Sequence, residues 1–342
     1  MGDRLLDIYD AVLFDLDGTV YRGEQAVPGA AEAVGAVRDN PTTVRFITNN
    51  ASRSPRQVAD HLVALGVPTE PDEVSTSAQA AAAMLAERLA PGATVLVVGA
   101  DSLADEVRLV GLRPVAEASP TPDAVVQGLD RSIGWRELSE AVLAVRAGAL
   151  WVACNVDATL PTERGQLIGN GALVAAVATA TGRQPLVAGK PNRPLLDQAG
   201  KAAGARRPLV VGDRLDTDIA GAAAAELDAL LVLSGVSQPA DVLLAGSRLR
   251  PRYLAADVTA VTGRVADLAI AGQPDWMITL DGHTLRVRWA SEDRPPDALD
   301  LLRGLCAAYV PDGDDVTSVD VVAEDDVAGA ALAQLGLRDR LA

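Results

Sequence analysis

Two aspartates flank a leucine where an apolar run ends, in AVLFDLDGTV at residues 11–20. Carboxylates delivered to the end of a buried strand are costly unless something cationic meets them. Two such acids, Asp15 and Asp17, can be half of a site for a divalent cation. Three readings compete. An EF-hand loop beginning at Asp15 needs a glutamate at its twelfth position, where Ala26 stands, and that reading fails. Plain solvated loop acids need no partners elsewhere in the chain, whereas a site for magnesium and phosphate does.

Partners stand at three further junctions between an apolar run and a loop. TVRFITNN ends its run at Thr48, which offers a hydroxyl and the backbone amides that follow. LVAGKPN puts Lys190 in a short loop ahead of a helical pattern, and PLVVGDRLDTD delivers Asp213 and, five residues on, Asp218. Lys190 is informative because the chain has twenty-eight arginines and only two lysines, at 190 and 201. A lysine in GKP therefore suggests a need for a compact ammonium charge that the broad guanidinium fork does not imitate. A nucleotide-binding P-loop is excluded, since it would require Gly at 184 and Ser or Thr at 191, where Gln184 and Pro191 stand.

The elements that must position these residues follow from periodicity. Apolar runs of strand length at 11–14, 43–48, 95–99, 150–154, 208–212 and 229–233 alternate with helical patterns, which signals βαβ units and a parallel sheet. Ser54 to Gly66 reads as a helix with Ser54 as N-cap, Pro55 at its first position and a closing glycine. After about residue 262 the texture changes. WMITLDGHTLRVRW reads as a hairpin around Asp281-Gly282, and a helix, a strand at 318–323 and a last helix follow, giving a small ββαβα tail.

The bulk numbers narrow the function. A chain of 342 residues implies two or three domains, and the net charge of −16 argues against a nucleic-acid surface. There is no signal-peptide pattern and no apolar run of membrane-spanning length, so the expectation is a cytoplasmic protein without membrane insertion. Cys154 and Cys306 have no metal or redox spacing and read as buried, reduced thiols.

The set DLDGT, Thr48 in FITNN, Lys190 in GKP and GDRLDTD, in that order, resembles the haloacid dehalogenase superfamily of phosphohydrolases. The resemblance implies an α/β fold: a Rossmann-like, doubly wound parallel sheet core over 1–77 and 184–262, an inserted α/β cap of the C2 type over 78–183, and the extension at 263–342. It implies that Asp15 is the nucleophile and forms an aspartyl-phosphate, and that Asp17 is the general acid and base. It also implies that Mg2+ is held by Asp15, the Asp17 carbonyl and Asp213, with Asp218 holding one of its waters. Thr48, the amide of Asn49 and Lys190 would clamp the phosphoryl oxygens. Spontaneous monoester hydrolysis is slow enough that acceleration reaches about 10²¹-fold, roughly 28 kcal/mol, and a single donor contributes about 3 to 4 kcal/mol. Only a set suffices. Asp216 is expected to be a solvated loop acid.

In the cap, CNVDATLPTERGQLIGNGALVAAV resembles the substrate-facing segment of C2 caps, with Asn155 and Asp157 as candidates to meet the leaving group; a turn cap and a solvated acid are the competing reading. The glycines of GNGALV are explained by a helix start. Within the superfamily the chain is similar to capped phosphatases acting on p-nitrophenyl phosphate, phosphoglycolate and nucleotides, and to actinobacterial glycerol 3-phosphate phosphatases. The implied substrate is a small phosphate monoester, glycerol 3-phosphate first, with phosphoglycolate, nucleoside monophosphates and sugar phosphates as alternatives. The tail resembles part of an acetyltransferase domain but lacks an acyl-CoA pyrophosphate loop. Packing on the core, binding an effector or holding a homodimer are the roles open to it. His283 and His61 are expected at the surface rather than in catalysis.

Overall fold

A computed structural model describes residues 3–162, 164–291, 294–311 and 318–337. The chain folds as two compact units: residues 1–22, 26–44 and 205–342 form the first, and 23–25 and 45–204 the second. The parts of the expected tail at 292–293, 312–317 and 338–342 lie outside the described residues.

The first unit is built on parallel strands. Ala11–Asp15 pairs with Pro208–Gly212, which pairs with Asp228–Val232, which pairs with Tyr253–Ala255. Ala11–Asp15 and Pro208–Gly212 are buried along their whole length, which is why both read as uninterrupted apolar runs rather than alternating ones. On the other side of Ala11–Asp15 the Thr43 N–H donates to the Asp10 carbonyl, starting the strand Thr43–Thr48. The first strand thus has neighbours on both sides, as a doubly wound sheet requires. Its register sets Phe14 opposite Val211. Asp15 therefore emerges beside Gly212 and Asp213 at the carboxyl ends of the strands.

The tail has the ββαβα order read from its pattern. Trp276–Asp281 pairs antiparallel with Thr284–Trp289, and the latter pairs parallel with Asp320–Ala323. The helices are Ala298–Ala308 and Asp326–Gln334. Two arginines tie this tail to the rest of its unit. Arg303, 5 % exposed, donates through Nε and Nη2 to the Leu254 carbonyl at 3.0 and 2.8 Å. Arg250 donates to the carbonyls of Leu243, Ala245 and Cys306, neutralising the C-terminal ends of two helices at once.

In the second unit a five-stranded parallel sheet runs in the order Leu186–Val187, Leu150–Ala153, Ala124–Gln127, Thr94–Val98, Arg113–Val115. Alternate residues of these strands feed two separate apolar clusters, Val126 and Val152 one, Val125 and Trp151 the other, so the sheet is covered on both faces. Thr43–Thr48 continues into this unit and pairs with Val74–Thr76. The helix Pro55–Ala64 has the expected start: Ser54 Oγ accepts the Gln57 N–H, Gln57 returns a bond to the Ser54 N–H, and Pro55 leads. A short antiparallel hairpin, Thr159–Thr162 with Gly165–Ile168, was hidden in sequence because it lacks the alternation of a half-buried strand; Gly165–Ile168 is exposed throughout. Among the described residues no helix is long and apolar enough to cross a membrane. Both cysteines are free and buried, and burial raises the Cys306 thiol to about 11, so neither is a poised nucleophile.

Candidate active site

In the first unit Asp15, Asp213 and Asp218 converge. One carboxylate oxygen of each lies within 4.8 Å of the others. Local structure explains each placement. Asp15 ends its strand, and the chain turns at once: the Leu16 carbonyl accepts the N–H groups of Thr19, Val20 and Tyr21, and Gly18 N–H donates to the Tyr21 carbonyl at 2.7 Å. Gly18 sits at φ +88°, in the left-handed region that favours glycine. A Cβ there would also run into the Asp213 carboxylate.

Asp213 follows Gly212 and is fully buried. Its Oδ2 accepts the Val236 N–H at 2.6 Å, and a Cβ on Gly235 would overlap the same carboxylate. Two glycines and one amide therefore confine this acid. Asp218 arrives through a widened turn in which the Arg214 carbonyl accepts N–H groups from both Asp218 and Ile219, the local under-winding often found at functional sites. The Asp218 carboxylate accepts the Arg214 N–H at 3.1 Å. Asp216 is not one of the clustered acids. It pairs with the Arg214 guanidinium, whose hydrogen bonds hold its carboxyl below the usual range. Asp17 is exposed, and its carboxylate accepts the Tyr21 hydroxyl at 3.3 Å.

Three clustered carboxylates on fixed backbone are a hard, all-oxygen donor set, which suits Mg2+ and excludes a soft-metal site. The strict packing around Asp213 fits the same conclusion, because an ion of small radius demands fixed ligands. When bound there, the cation would neutralise charge where an anionic substrate meets Asp15.

The second unit assembles Thr48, Asn49 and Lys190. Thr48 is buried at its strand end, and its hydroxyl accepts the Asn50 N–H at 3.1 Å. Asn49 binds the Lys190 backbone twice, donating to its carbonyl at 2.9 Å and accepting its N–H at 2.8 Å. Lys190 is 2 % exposed. Gly189 permits this approach, since a Cβ would collide with the Asn49 side chain and the Cys154 carbonyl. Asn155 and Asp157 also lie against Asn49. The glycines of GNGALV do start a helix, Asn170–Thr181, and they pack tightly on the backbone of Val156 and Asp157. His283 is exposed at the tail hairpin turn.

Sequence reasoning missed Gly235, the Val236 amide, Ser77 and Asn170. Ser77 Oγ donates to the Asn49 carbonyl and Asn170 donates to the Asn155 carbonyl. None carries a local signal: Ser77 looks like the first residue of a capped helix, which it also is.

The chain is similar to known hydrolases over most of its length. Family models described as haloacid dehalogenase-like hydrolase and HAD-hydrolase-like match residues 12–113 and 187–261, and one for a GCN5-related N-acetyltransferase-like domain matches 273–337. The D-glycerol 3-phosphate phosphatase of Mycobacterium tuberculosis is 52 % identical over 279 residues, 82 % of this chain and 78 % of that one. The 5′-nucleotidase YutF of Bacillus subtilis is 38 % identical over 67 % of this chain and 89 % of its own. A crystal structure of the M. tuberculosis glycerol phosphate phosphatase in complex with magnesium superposes with a TM-score of 0.91 at 46 % identity, covering 98 % of this chain and 100 % of that one. With the acid cluster at the strand ends and the matches over both halves of the sheet, the chain belongs to the haloacid dehalogenase-like hydrolases.

Proposed function

We propose that this enzyme is a Mg2+-dependent phosphatase that hydrolyses a small phosphate monoester, glycerol 3-phosphate first among them, through an aspartyl-phosphate. The observation that carries the reading is the convergence of Asp15, Asp213 and Asp218 at the carboxyl ends of adjacent strands. The M. tuberculosis relative supports the substrate, and the match over the tail as well as the core makes the likeness more than a shared sheet.

In this reading an Asp15 oxygen attacks phosphorus, the bond to the leaving oxygen breaks, and the Asp17 carboxyl gives its proton to the departing alkoxide. Water then attacks the phosphoryl group on Asp15, Asp17 takes a proton from that water, and Asp15 leaves with both oxygens intact beside inorganic phosphate. The Asp17 carboxylate accepts the Tyr21 hydroxyl, which orients it for both transfers. By resemblance to the superfamily, Thr48 and the Asn49 amide would donate hydrogen bonds to phosphoryl oxygens and Lys190 would offset their charge. Asp15, the Asp17 carbonyl and Asp213 would hold the Mg2+, with Asp218 holding one of its waters.

We assign the core to 1–77 and 184–262, the cap to 78–183 and the extension to 263–342, with the reaction in the cytoplasm and no nucleic-acid partner. Homodimerisation through the tail is a separate question, read by sedimentation of the full chain. The nucleotidase relative favours nucleoside monophosphates as the second substrate class. A panel of glycerol 3-phosphate, phosphoglycolate, a nucleoside monophosphate and a sugar phosphate, with and without Mg2+, tests the proposal. Asp15→Asn should abolish turnover without altering the fold; retained turnover, or hydrolysis indifferent to Mg2+ removal, refutes it.

A further inference from the structure

Asn155 and Asp157 are candidates for the leaving group on sequence, and in the structure both are hydrogen-bonded to Asn49. The Asn155 amide donates to the Asn49 carbonyl at 2.7 Å. The Asp157 N–H donates to Asn155 Oδ1 at 3.2 Å. The Asn49 amide donates to the Asp157 carboxylate at 3.2 and 3.4 Å. The three residues close a ring in which each gives one bond and receives another.

From that ring the Asn49 side chain reaches the Lys190 backbone through the paired bonds at 2.9 and 2.8 Å. One end of the amide accepts and the other donates, so its orientation is single-valued. Both of its N–H groups and its oxygen are engaged by the fold. What Asn49 has left for a phosphoryl oxygen is its backbone N–H. The ring is itself supported: Ser77 Oγ donates to the Asn49 carbonyl at 2.6 Å, and Asn170, 1 % exposed, donates to the Asn155 carbonyl at 2.7 Å.

We infer that Asn155 and Asp157 are positioning residues that lock Asn49 and, through its side chain, the Lys190 loop, and that they do not read the leaving group. The inference rests on the reading that the Asn49 amide and Lys190 hold the phosphoryl group. Asn155 is 6 % exposed, which fits a support better than a surface meant to meet diverse alcohols. A carboxylate placed to touch an anionic ester would also repel it, whereas one bonded to the Asn49 amide has a use for its charge.

The two roles separate by what the loss depends on. With Asp157→Ala and Asn155→Ala, kcat/KM should fall about 10- to 100-fold, the range expected when a reacting group is displaced by ångström-scale shifts. It should fall by the same factor for glycerol 3-phosphate and for p-nitrophenyl phosphate. Inhibition by inorganic phosphate, which has no leaving group, should weaken in parallel. Asp157→Asn keeps the acceptor for the Asn49 amide and should restore most of the activity. If an alanine variant does not fold, Asn155→Asp, which keeps the acceptor and drops the donor, gives the same comparison. A loss confined to one substrate with unchanged phosphate inhibition overturns the inference, as does no loss at all. Failure of the underlying reading is distinct, because it appears in the wild-type enzyme and in Asp15→Asn.

Discussion

Arg303→Ala probes whether the tail is part of the catalytic unit or merely attached to it. The guanidinium is 5 % exposed, donates twice to the carbonyl of Leu254 in the strand Tyr253–Ala255, and pairs with Asp300 at 2.5 Å one helical turn back. Truncation leaves the Leu254 carbonyl with those bonds lost, which costs about 1 to 3 kcal/mol. The partner carboxylate of Asp300, whose pKa burial already raises, loses its compensating charge. Removing a buried cation returns part of its desolvation cost, so a net loss of about 3 kcal/mol is expected, at the lower edge of what breaking a buried pair costs. For a unit of this size that lowers Tm by roughly 6 to 12 °C. Calorimetry measures the shift, and hydrogen exchange at residues 253–255 should accelerate with it. Arg303→Lys keeps the charge but not the two-pronged bond and should fall between. A shift under about 2 °C, with unchanged exchange at the strand, would refute the claim that this side chain fastens the tail to the sheet.

Other outcomes follow from the same geometry. Gly235→Ala places a Cβ against the Asp213 carboxylate; the Mg2+ concentration for half-maximal activity should rise about tenfold or more, and an unchanged titration would show that the acid moves freely. Asp228 is pushed up by burial, but the Tyr9 hydroxyl and the Arg252 and Arg207 guanidinia overcome this and hold it below its ordinary value of 3.8. Its contribution is therefore present above that value and lost as pH falls through the lower folded one. Asp228→Asn should cost about 1 kcal/mol near neutral pH, and urea melts should show the gap closing in acid; a gap constant down to pH 2 would contradict the sign.

Six of the buried strands, the capped helix at Pro55–Ala64, the ββαβα tail and the acids at the strand ends were legible in the chain, whereas the order of strands within each sheet was not. Each is announced by neighbours: apolar runs that can only be buried strands, a Ser-Pro start, an Asp-Gly turn. Lys190 stood out for a different reason, as one of two lysines in a chain with twenty-eight arginines. What tertiary structure alone decided is how distant residues meet. Asn49 and Asp157 are 108 positions apart, and Asn49 and Lys190 are 141 apart, so no periodicity links them. Gly235 matters because of the carboxylate it lies against, and Arg303 because of a carbonyl 49 positions earlier. Local propensity acts over a few residues and leaves a pattern. Hydrogen bonds between loops leave none, because an asparagine in a ring and an asparagine in a turn are written with the same letter.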